Sequence, residues 1–481
     1  MKKMILPLAK VAEILGSGEP VFDYVITGCE IDSRRIKPGQ LFFAIRGPRL
    51  DGHDFVAAAL GQGAAGAVVE KKFRDQADTS VRSQLIPVVD TTAALQLLAC
   101  HVRRQWGGLV VAVTGSMGKT TTKEMIAALL ATRFRVLKSR GNLNNHFGLP
   151  LALLGLESSH EVAVVELAMS APDEIARLAQ ISMPNVGVVT NVAPVHLEFF
   201  DSVDSIARAK KELIENLSNH NGKPTAVLNF DDARVRKFAV GFDGQVVTFG
   251  LGEGAQFRGT NVRPYREGSR FVLSAPSGDI EFAVPLPGAH NVENALAALA
   301  TASVCGITNG TLVSALAVFE NLAQRSEIFT LPGNITILND CYNSNPCAMQ
   351  RMIETLGGWT AAGRRIVVAG EMLELGPTSP EWHLQIGRKL AECNVDGLIA
   401  VQGDARFIRE GALGAGLDPA RAVFFPNADE AARYCNSLIE PGDIVLVKGS
   451  RGVNLERVTE MLAKSREHPS GKCGEVPKKA V

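Results

Sequence analysis

The chain has 481 residues, its 50 lysines and arginines are balanced by 50 aspartates and glutamates, and 46% of its residues are hydrophobic. This length predicts about three domains, each able to bury its own core, and zero net charge argues against duplex DNA or an anionic membrane as a partner. The eight cysteines include no CxxC pair, which predicts reduced thiols in a cytoplasmic protein.

The first 106 residues mix short predicted strands and helices. A strand is predicted at 40–45, a helix from Asp54 and a second strand at 65–70. This mixture predicts a small α/β domain over residues 1–106.

Residues 107–323 carry the strongest parallel-sheet signal. β-branched runs alternate with helical segments, and they predict strands at 109–113, 161–166 and 186–192. Residues 245–286 change to alternating residues with Gly and Pro turns, which predicts antiparallel hairpins at the edge of this domain. After a helix from about Asn291, the uncharged stretch 294–319 predicts two buried helices instead of a membrane span, because Asn, Thr and Gly interrupt it.

The α/β pattern restarts in the C-terminal part, after a predicted boundary near residues 331–334. Its strands are predicted at 365–369, 397–401, 422–425 and 443–448. The fold is therefore predicted to be α/β with three domains, at 1–106, 107–323 and 324–466. Residues 467–481 are polar, with Pro and Gly, and are predicted to form a disordered tail.

The most informative segment is 113–122, VTGSMGKTTT, in which a buried strand runs into a glycine turn and a helix. Backbone N–H groups and the helix dipole attract phosphate at such a junction. Gly115 and Gly118 allow the tight backbone, Lys119 would reach the β- and γ-phosphates, and the Thr120 hydroxyl would ligate Mg²⁺. The general GxxxxGK[ST] pattern has glycine where this chain has Val113, so we interpret the loop as a short variant and consider a chance glycine turn as the alternative.

Three further side chains are predicted at the carboxyl edge of the same sheet. Glu166 ends a buried strand, which suits a Mg²⁺ ligand, although a helix N-cap partner is the alternative. His196 follows the next strand, but a loop histidine alone is more often a surface or structural residue. Lys210 falls on the apolar stripe of a helix at 202–217, whereas Lys211 does not. A buried ammonium is costly, so a salt bridge to Glu166 or phosphate, carbamylation by CO₂ and a snorkelling lysine all stay open.

Taken in order, these and other motifs resemble the Mur ligases of peptidoglycan synthesis. The family motifs are TGSMGKTTTKE at 114–124, GNLNN at 141–145, VEL at 165–167, HLE at 196–198, GAHN at 288–291 and KGS at 448–450. Three segments resemble the MurF type within the family: SAPDEI at 170–175, DCYNSNP at 340–346 and GEMLELG at 370–376. The resemblance runs from about residue 31 to about residue 458.

The resemblance implies an N-terminal domain that holds a UDP-sugar, a central P-loop ATPase and a C-terminal Rossmann-like domain. It also implies a reaction that uses ATP and Mg²⁺. ATP phosphorylates the terminal carboxylate of UDP-N-acetylmuramoyl-tripeptide, and the amine of D-Ala-D-Ala attacks the acyl phosphate to give UDP-MurNAc-pentapeptide, ADP and phosphate. The protein is predicted to be a cytoplasmic monomer that acts on these small molecules.

The resemblance also assigns roles to residues. The implied catalytic residues are Lys119, Glu166, His196 and Lys210. The implied ATP-binding residues are Gly115, Ser116, Met117, Gly118, Lys119, Thr120, Thr121, Asn291, Asn294, Arg325 and Asp340. The implied metal ligands are Thr120, Glu166, His196 and Lys210, and Lys210 falls where the family carries a carbamylated lysine (N6-carboxylysine). The UDP-sugar residues would be Ser33, Arg34, Asp51, Gly52, His53 and Asp54. The dipeptide pocket would include Asn343, Asn345 and Pro346, although the residues alone favour a plain Asn/Pro turn there.

Alternative functions are less consistent with the sequence. A sibling ligase that adds the third peptide residue usually carries an Asp-Asn-Pro-Arg-like motif, and none follows residue 331. The segment 31–55 argues against folylpolyglutamate synthase, and the complete set of implied catalytic residues argues against a non-catalytic nucleotide-binding regulator. Whether the third peptide residue is diaminopimelate or lysine stays open.

Overall fold

The computed structural model describes residues 6–18, 24–195, 197–220, 222–265, 268–275, 278–307, 309–320, 322–359 and 362–466. Within these ranges the strands form a four-stranded, a nine-stranded and a six-stranded sheet, with a two-stranded ribbon near the N-terminus. Helices cover the sheets, so the predicted α/β class with parallel sheets is confirmed.

The N-terminal sheet has the strand order β3-β4-β5-β6, with every pair parallel. The elements are β1 (Leu6–Pro7), α1 (Leu8–Ile14), β2 (Val25–Ile26), β3 (Cys29–Glu30), β4 (Leu41–Phe43), α2 (Val56–Gly61), β5 (Gly66–Glu70), α3 (Lys71–Gln76), β6 (Leu85–Val88) and α4 (Thr91–Trp106). The helix predicted from Asp54 begins at Val56, because a 3₁₀ turn capped by Asp51 precedes it.

The central sheet has the order β15-β14-β13-β12-β11-β10-β7-β9-β8. The elements are β7 (Leu109–Thr114), α5 (Lys119–Leu130), β8 (Val136–Lys138), α6 (Gly148–Leu153), β9 (Val162–Glu166), α7 (Glu174–Ser182), β10 (Val186–Val189), α8 (Val203–Glu215), β11 (Thr225–Asn229), α9 (Ala233–Arg236), β12 (Gln245–Gly250), β13 (Phe257–Tyr265), β14 (Gly268–Ala275), β15 (Gly278–Val284), α10 (Ala289–Val304) and α11 (Asn309–Ala317).

The predicted antiparallel edge begins later in the chain than expected. The pairs β11–β12 and β12–β13 are parallel, and only β13–β14 and β14–β15 are antiparallel. The prediction of hairpins from residue 245 was therefore wrong for β12, which extends the parallel sheet. The long strand β13 joins it over only two residue pairs before turning into the hairpins.

The C-terminal sheet has the order β16-β17-β21-β18-β19-β20 and is parallel except for β16. The elements are β16 (Glu327–Leu331), β17 (Ile335–Asn339), α12 (Pro346–Gly357), β18 (Arg365–Gly370), α13 (Ser379–Glu392), β19 (Gly397–Val401), α14 (Ala405–Gly414), β20 (Ala422–Phe425), α15 (Ala428–Leu438), β21 (Ile444–Lys448) and α16 (Glu456–Arg466). Residues 331–334 form the turn of the β16–β17 hairpin inside this sheet, so they do not mark a boundary.

Helix α4 attaches the N-terminal part to the central sheet. Its apolar face belongs to one continuous core that also includes residues of α1, α7 and α8. At its end the buried Arg103 donates from Nε to the carbonyl of Ser182 at 2.7 Å and from Nη2 to that of Met183 at 3.0 Å. Burial lowers the pKa of Arg103 to about 10. The domain boundaries given above stay predictions.

The central and C-terminal sheets each bury both faces. Helices α5, α10 and α11 cover the second face of the central sheet, and separate apolar cores lie on the two faces of the C-terminal sheet. Strands buried on both faces are continuous apolar runs, which is the pattern of β7, β9 and β21 in the sequence. Among helices in the described ranges, none combines the length and apolar composition needed to cross a bilayer.

Candidate active site

The glycine loop between β7 and α5 has the backbone that the sequence predicted. Gly115 and Gly118 have φ values of +149° and +77°, which disfavour other residues. A Cβ atom on Gly115 would lie 1.8 Å from Oγ1 of Thr190, and one on Gly118 would lie 2.3 Å from Oδ1 of Asn294. The loop is therefore packed between β10 and α10, with α5 beginning directly after it at Lys119.

Side chains that follow β10 hold the loop in place. The Asn191 amide accepts from the Met117 backbone N–H at 2.9 Å and donates to the Met117 carbonyl at 3.2 Å. The Ser116 hydroxyl donates to the carbonyl of Ala193 at 3.1 Å and accepts from its N–H at 2.8 Å. These bonds fix the directions of the loop's peptide groups, as phosphate binding by backbone N–H groups requires.

Lys119 lies folded over this loop. Its Nζ donates to the carbonyls of Gly115 at 2.8 Å and Ser116 at 3.3 Å. Burial lowers the pKa of Lys119. The negative charge of Glu166 opposes this change, and the positive charge of Arg325 lowers the pKa further. Phosphate oxygens would offer the ammonium a charged partner in place of two neutral carbonyls.

Glu166 is buried at the carboxyl end of β9, and one of its oxygens has no partner. Oε1 accepts from Nδ2 of Asn144 at 2.8 Å, but Oε2 has no hydrogen-bond partner among the described residues. An unsatisfied buried carboxylate oxygen is costly unless a cation completes it. Glu166 borders the same cavity as Thr120, the other predicted oxygen ligand of Mg²⁺ in this part of the fold.

The remaining predicted ligands are only partly described. His196 lies outside the described residues. Within those residues, no group of three or more histidine, cysteine or carboxylate side chains that could hold a metal occurs. A metal at Glu166 would therefore need ligands of other kinds, such as a hydroxyl, phosphate oxygens or a modified lysine.

Lys210 is buried on the inner face of α8, as its place on the apolar stripe predicted. It is 2% exposed, whereas Lys211 pairs with Glu215 at the surface at 3.0 Å. Within the described ranges no carboxylate forms an ion pair with Lys210, so it is neither a snorkelling lysine nor bridged to Glu166. Burial, followed by the charge of Lys119, lowers the pKa of Lys210 far below its usual range.

Two asparagines of α10 form a buried chain behind the loop. Asn291 donates from Nδ2 to the carbonyl of Pro287 at 2.8 Å, and its Oδ1 accepts from Nδ2 of Asn294 at 3.2 Å. The Oδ1 of Asn294 accepts from the Thr122 hydroxyl at 3.2 Å. This chain joins the start of α10 to α5 and lines the cavity beside the glycine loop.

The C-terminal domain supplies a second wall. Asp340 accepts from the Ser326 N–H at 2.8 Å and from Nζ of the buried Lys448 at 2.5 Å. The Lys448 ammonium also donates to the carbonyl of Asn343 at 3.0 Å. Arg325 lies over the ring of Tyr342, with 4.1 Å between the guanidinium carbon and the ring centroid.

The segment 343–346 starts a helix as well as lining the cleft. Asn345 caps α12 by accepting from the N–H of Ala348 at 2.9 Å, and Pro346 is the first helical residue. The segment is thus the start of a helix and not the plain Asn/Pro turn that we considered as an alternative. Asn343 and Asn345 still border the cavity, whereas Pro346 is not part of its wall.

One cavity of about 310 Å³ between the central and C-terminal sheets brings most of the predicted residues together. Its walls include Ser116, Met117, Gly118, Lys119, Thr120, Thr121, Glu166, Lys210, Asn291, Asn294, Arg325, Asp340, Asn343 and Asn345. Gly115 lies behind the wall as the turn that shapes it. Sequence reasoning gave no role to Asn144, Asn191 or Lys448, although each follows or ends a strand or stands in a quoted motif.

The six residues predicted for the UDP-sugar lie outside this cavity. Asp32 caps the 3₁₀ turn Ser33–Arg35 and pairs with the exposed Arg34 at 2.7 Å. In the second segment, Nδ1 of the buried His53 lies 2.6 Å from Oδ1 of Asp51, and its Nε2 accepts from the Glu70 N–H at 2.9 Å.

The remaining two residues of that set have contrasting surroundings. Gly52 is packed so tightly that a Cβ atom would lie 2.5 Å from the Ile45 nitrogen. Asp54 is exposed in the same turn. Both ring nitrogens of the neighbouring His53 have partners within the fold, and these contacts fix the shape of the turn.

Comparison with known proteins follows the same three-part division. Residues 25–103 match the Mur ligase family catalytic domain, residues 113–302 the Mur ligase middle domain, and residues 324–451 the Mur ligase glutamate ligase domain. UDP-N-acetylmuramoyl-tripeptide–D-alanyl-D-alanine ligase of Bacillus subtilis is 32% identical over 441 residues, which cover 92% of this chain and 94% of that protein. The chain belongs to the Mur ligase family.

Solved structures place this Mur ligase beside the MurF type. A crystal structure of MurF from Acinetobacter baumannii has a TM-score of 0.86 at 29% identity, covering 96% of this chain and 100% of that one. MurF ligase from Thermotoga maritima in complex with ADP has a TM-score of 0.80 at 31% identity, covering 92% of this chain and 98% of that one. The predicted family and three-domain architecture are confirmed.

Proposed function

We propose that this Mur ligase uses ATP to join D-alanyl-D-alanine to UDP-N-acetylmuramoyl-tripeptide. The proposal is supported by the similarity to named relatives together with the residues that line the cleft. Its relatives of that name cover almost the whole chain, and the cleft between its domains combines a phosphate loop, an unsatisfied carboxylate and a buried lysine. The reaction needs these groups because both reactants of its first step are anions.

ATP binds along the cleft, with its phosphates on the loop at 115–118 and its nucleoside toward α10. Lys119 exchanges its two carbonyl partners for β- and γ-phosphate oxygens. Asn291 and Asn294 contact the base, and Asp340 contacts the ribose. The ADP complex of the T. maritima relative supports use of the adenine nucleotide by this fold.

Mg²⁺ is the metal that the donor set fits. Thr120, Glu166, His196 and Lys210 would hold it, and the unpartnered Oε2 of Glu166 supports this assignment. When bound, Mg²⁺ neutralises charge on the phosphates and polarises the transferred group. Asn144 keeps the other carboxylate oxygen occupied, so Glu166 is oriented before the ion arrives.

Lys210 acts as N6-carboxylysine. A neutral amine attacks CO₂, one N–C bond forms, and one proton leaves to solvent, which gives an anionic oxygen ligand. The lowered pKa of Lys210 supports this step, because burial and the nearby Lys119 favour the neutral amine that CO₂ requires.

The chemistry then proceeds in two displacements. A carboxylate oxygen of the tripeptide attacks the γ-phosphorus, the bond to the β–γ bridging oxygen breaks, and ADP leaves with the electron pair. The dipeptide amine attacks the acyl carbon, the tetrahedral adduct expels phosphate, and the nitrogen loses one proton. Lys119 and Arg325 lie beside the transferred group, where their charges favour its negative oxygens.

The other substrates occupy the remaining predicted sites. The UDP-sugar contacts Ser33, Arg34 and residues 51–54 in the N-terminal domain, and the dipeptide lies near Asn343, Asn345 and Pro346. The enzyme works as a monomer in the cytoplasm, where these substrates are small soluble molecules.

A substrate-omission assay tests the proposal. We expect phosphate release only when ATP, Mg²⁺, UDP-MurNAc-tripeptide and D-Ala-D-Ala are all present, and tripeptides ending in diaminopimelate and in lysine should be compared. Lys119→Ala should abolish ligation while leaving binding of the UDP-sugar unchanged. Equal phosphate release without the dipeptide or without the sugar would refute the proposed reaction.

A further inference from the structure

The backbone around Glu166 is held from both sides at the end of β9. The Glu166 N–H donates to the Ser139 hydroxyl at 3.3 Å, and the next N–H, that of Leu167, donates to the Val113 carbonyl of β7 at 2.9 Å. On the first side, β8 pairs with β9 only as far as Val164. A serine hydroxyl thus takes the place of a strand carbonyl directly after β8 ends.

Ser139 is itself fixed by a buried lysine of α5. It is 1% exposed, and its carbonyl accepts from Nζ of Lys123 at 2.7 Å. Lys123 is 0% exposed and lies one helical turn after Thr120. Helix α5, which begins at the phosphate loop, is therefore tied through one ammonium group to the segment beside Glu166.

The charge of Lys123 is balanced by the residue that follows it. Its Nζ lies 2.9 Å from Oε1 of Glu124, whose other carboxylate oxygen accepts from the exposed Lys138. Burial raises the pKa of Glu124, but the two ammonium groups outweigh burial and the pKa is lowered overall. Glu124 therefore stays ionised, and Lys123 keeps a charged partner beside the Ser139 carbonyl. A satisfied buried network of this kind makes the segments that it joins rigid.

The segment that begins at Ser139 also carries Asn144, which holds the Glu166 side chain. Its Nδ2 donates to Oε1 of Glu166 at 2.8 Å, and its carbonyl accepts from the Ala168 N–H at 2.9 Å. Residues 139–144 thus contact Glu166 both at its N–H and at its carboxylate. The other carboxylate oxygen, Oε2, has no partner among the described residues, and it is the atom proposed to bind Mg²⁺.

We infer that Lys123 and Ser139 are positioning residues for the metal site, because they hold Glu166 on β9 relative to Thr120 on α5. This inference rests on the proposed function and adds to it two residues that do not line the nucleotide cavity. Mg²⁺ demands near-ideal octahedral geometry from its oxygen ligands. A carboxylate that shifts relative to the helix therefore loses metal affinity while the phosphate loop stays intact.

The test measures metal binding directly, with Mn²⁺ as the probe because it prefers the same oxygen ligands as Mg²⁺. Mn²⁺ is titrated into the full chain carrying bound ADP, and the bound ion is measured by electron paramagnetic resonance. We expect Ser139→Ala to weaken Mn²⁺ binding by about tenfold and Lys123→Met by about 10–100-fold, as for other residues that orient metal ligands. ADP binding without metal should be unchanged in both variants.

Two further variants separate positioning from a purely structural role. Ser139→Thr keeps the hydroxyl and should keep most of the Mn²⁺ affinity. Ser182→Ala is the matched control, because it removes another buried serine hydroxyl, which donates to the Leu178 carbonyl at 2.8 Å in α7. It should lower the melting temperature about as much as Ser139→Ala does, yet leave Mn²⁺ binding unchanged.

Ser139→Ala decides the test even if Lys123→Met does not fold, since it leaves no buried charge unpaired. Unchanged Mn²⁺ binding in Ser139→Ala, or an equal loss of metal-free ADP binding, would overturn the inference. Glu166→Gln distinguishes this failure from a failure of the proposed function. If Glu166→Gln binds Mn²⁺ as tightly as the unaltered chain, the metal assignment itself is wrong, and the inference fails with it.

Discussion

Lys448 offers the sharpest test of how the C-terminal wall of the cleft is held. It is 2% exposed at the end of β21, and its Nζ lies 2.5 Å from Oδ2 of Asp340 and 3.0 Å from the Asn343 carbonyl. One ammonium thus fixes both the predicted ribose ligand and the loop that follows it. Replacing it by methionine keeps much of the volume and removes the charge.

The expected cost follows from the burial of the pair. Removing one partner of a buried ion pair costs about 3–5 kcal/mol. The Asp340 side chain is 16% exposed, so water can partly solvate the remaining carboxylate, and we expect about 3 kcal/mol for Lys448→Met. For a domain of this size the melting temperature should fall by about 6–12 °C.

Calorimetry of the full chain measures this change, with a double-mutant cycle as the internal test. Lys448→Met combined with Asp340→Asn should be less destabilised than Lys448→Met alone, because the unpaired charge is gone. Lys464→Met removes a lysine whose side chain is 78% exposed and should leave the melting temperature unchanged. The KM for ATP should rise in Lys448→Met, since residues 340–343 lose their anchor. Additive effects in the cycle, or a shift no larger than that of Lys464→Met, would refute the reasoning.

Three shorter predictions concern the central domain. Asn144→Ala should raise the Mg²⁺ concentration for half-maximal activity by about 10–100-fold, because the carboxylate ligand loses the bond that orients it; an unchanged Mg²⁺ titration would contradict this role. Gly115→Ala should sharply weaken ATP binding measured by calorimetry, since its methyl group would lie 1.8 Å from Thr190 Oγ1, whereas Gly414→Ala, which meets nothing within 4 Å, should have no effect. Burial lowers the pKa of His290 from 6.5 to about 4. Between these pH values the unfolded chain binds a proton at His290 that the native state does not bind, so the free energy of unfolding should rise with pH. His290→Gln should flatten the corresponding rise in melting temperature, and an unchanged slope would contradict this prediction.

The sequence predicted those parts of the site that one local pattern determines. A β-branched run followed by glycines and a Lys-Thr pair is sufficient to predict the phosphate loop, because strand, turn and helix are contiguous. Glu166 was predictable since the carboxyl ends of parallel strands meet at one sheet edge. The burial of Lys210 followed from its place on the apolar stripe of a helix.

The rest depends on contacts between distant segments. Asp340 and Lys448 are 108 residues apart, and no local pattern pairs them. The β16–β17 hairpin was missed because its turn at 331–334 resembles a linker as much as a hairpin. Asn345 shows a different limit, since one amide both caps a helix and borders the cleft, and the sequence could not show that these roles coexist.

The two sides of the cleft carry different sets of predicted site residues, so the complete site requires both domains. The central domain holds the residues proposed to bind phosphate and metal, with the loop held by Asn191 and Glu166 oriented by Asn144. The C-terminal domain holds Asp340, Asn343 and Asn345 on the opposite wall. Because residues of both domains border this one cavity, a displacement of one domain would change the distances between groups on the two walls, and reaction geometry tolerates little such error.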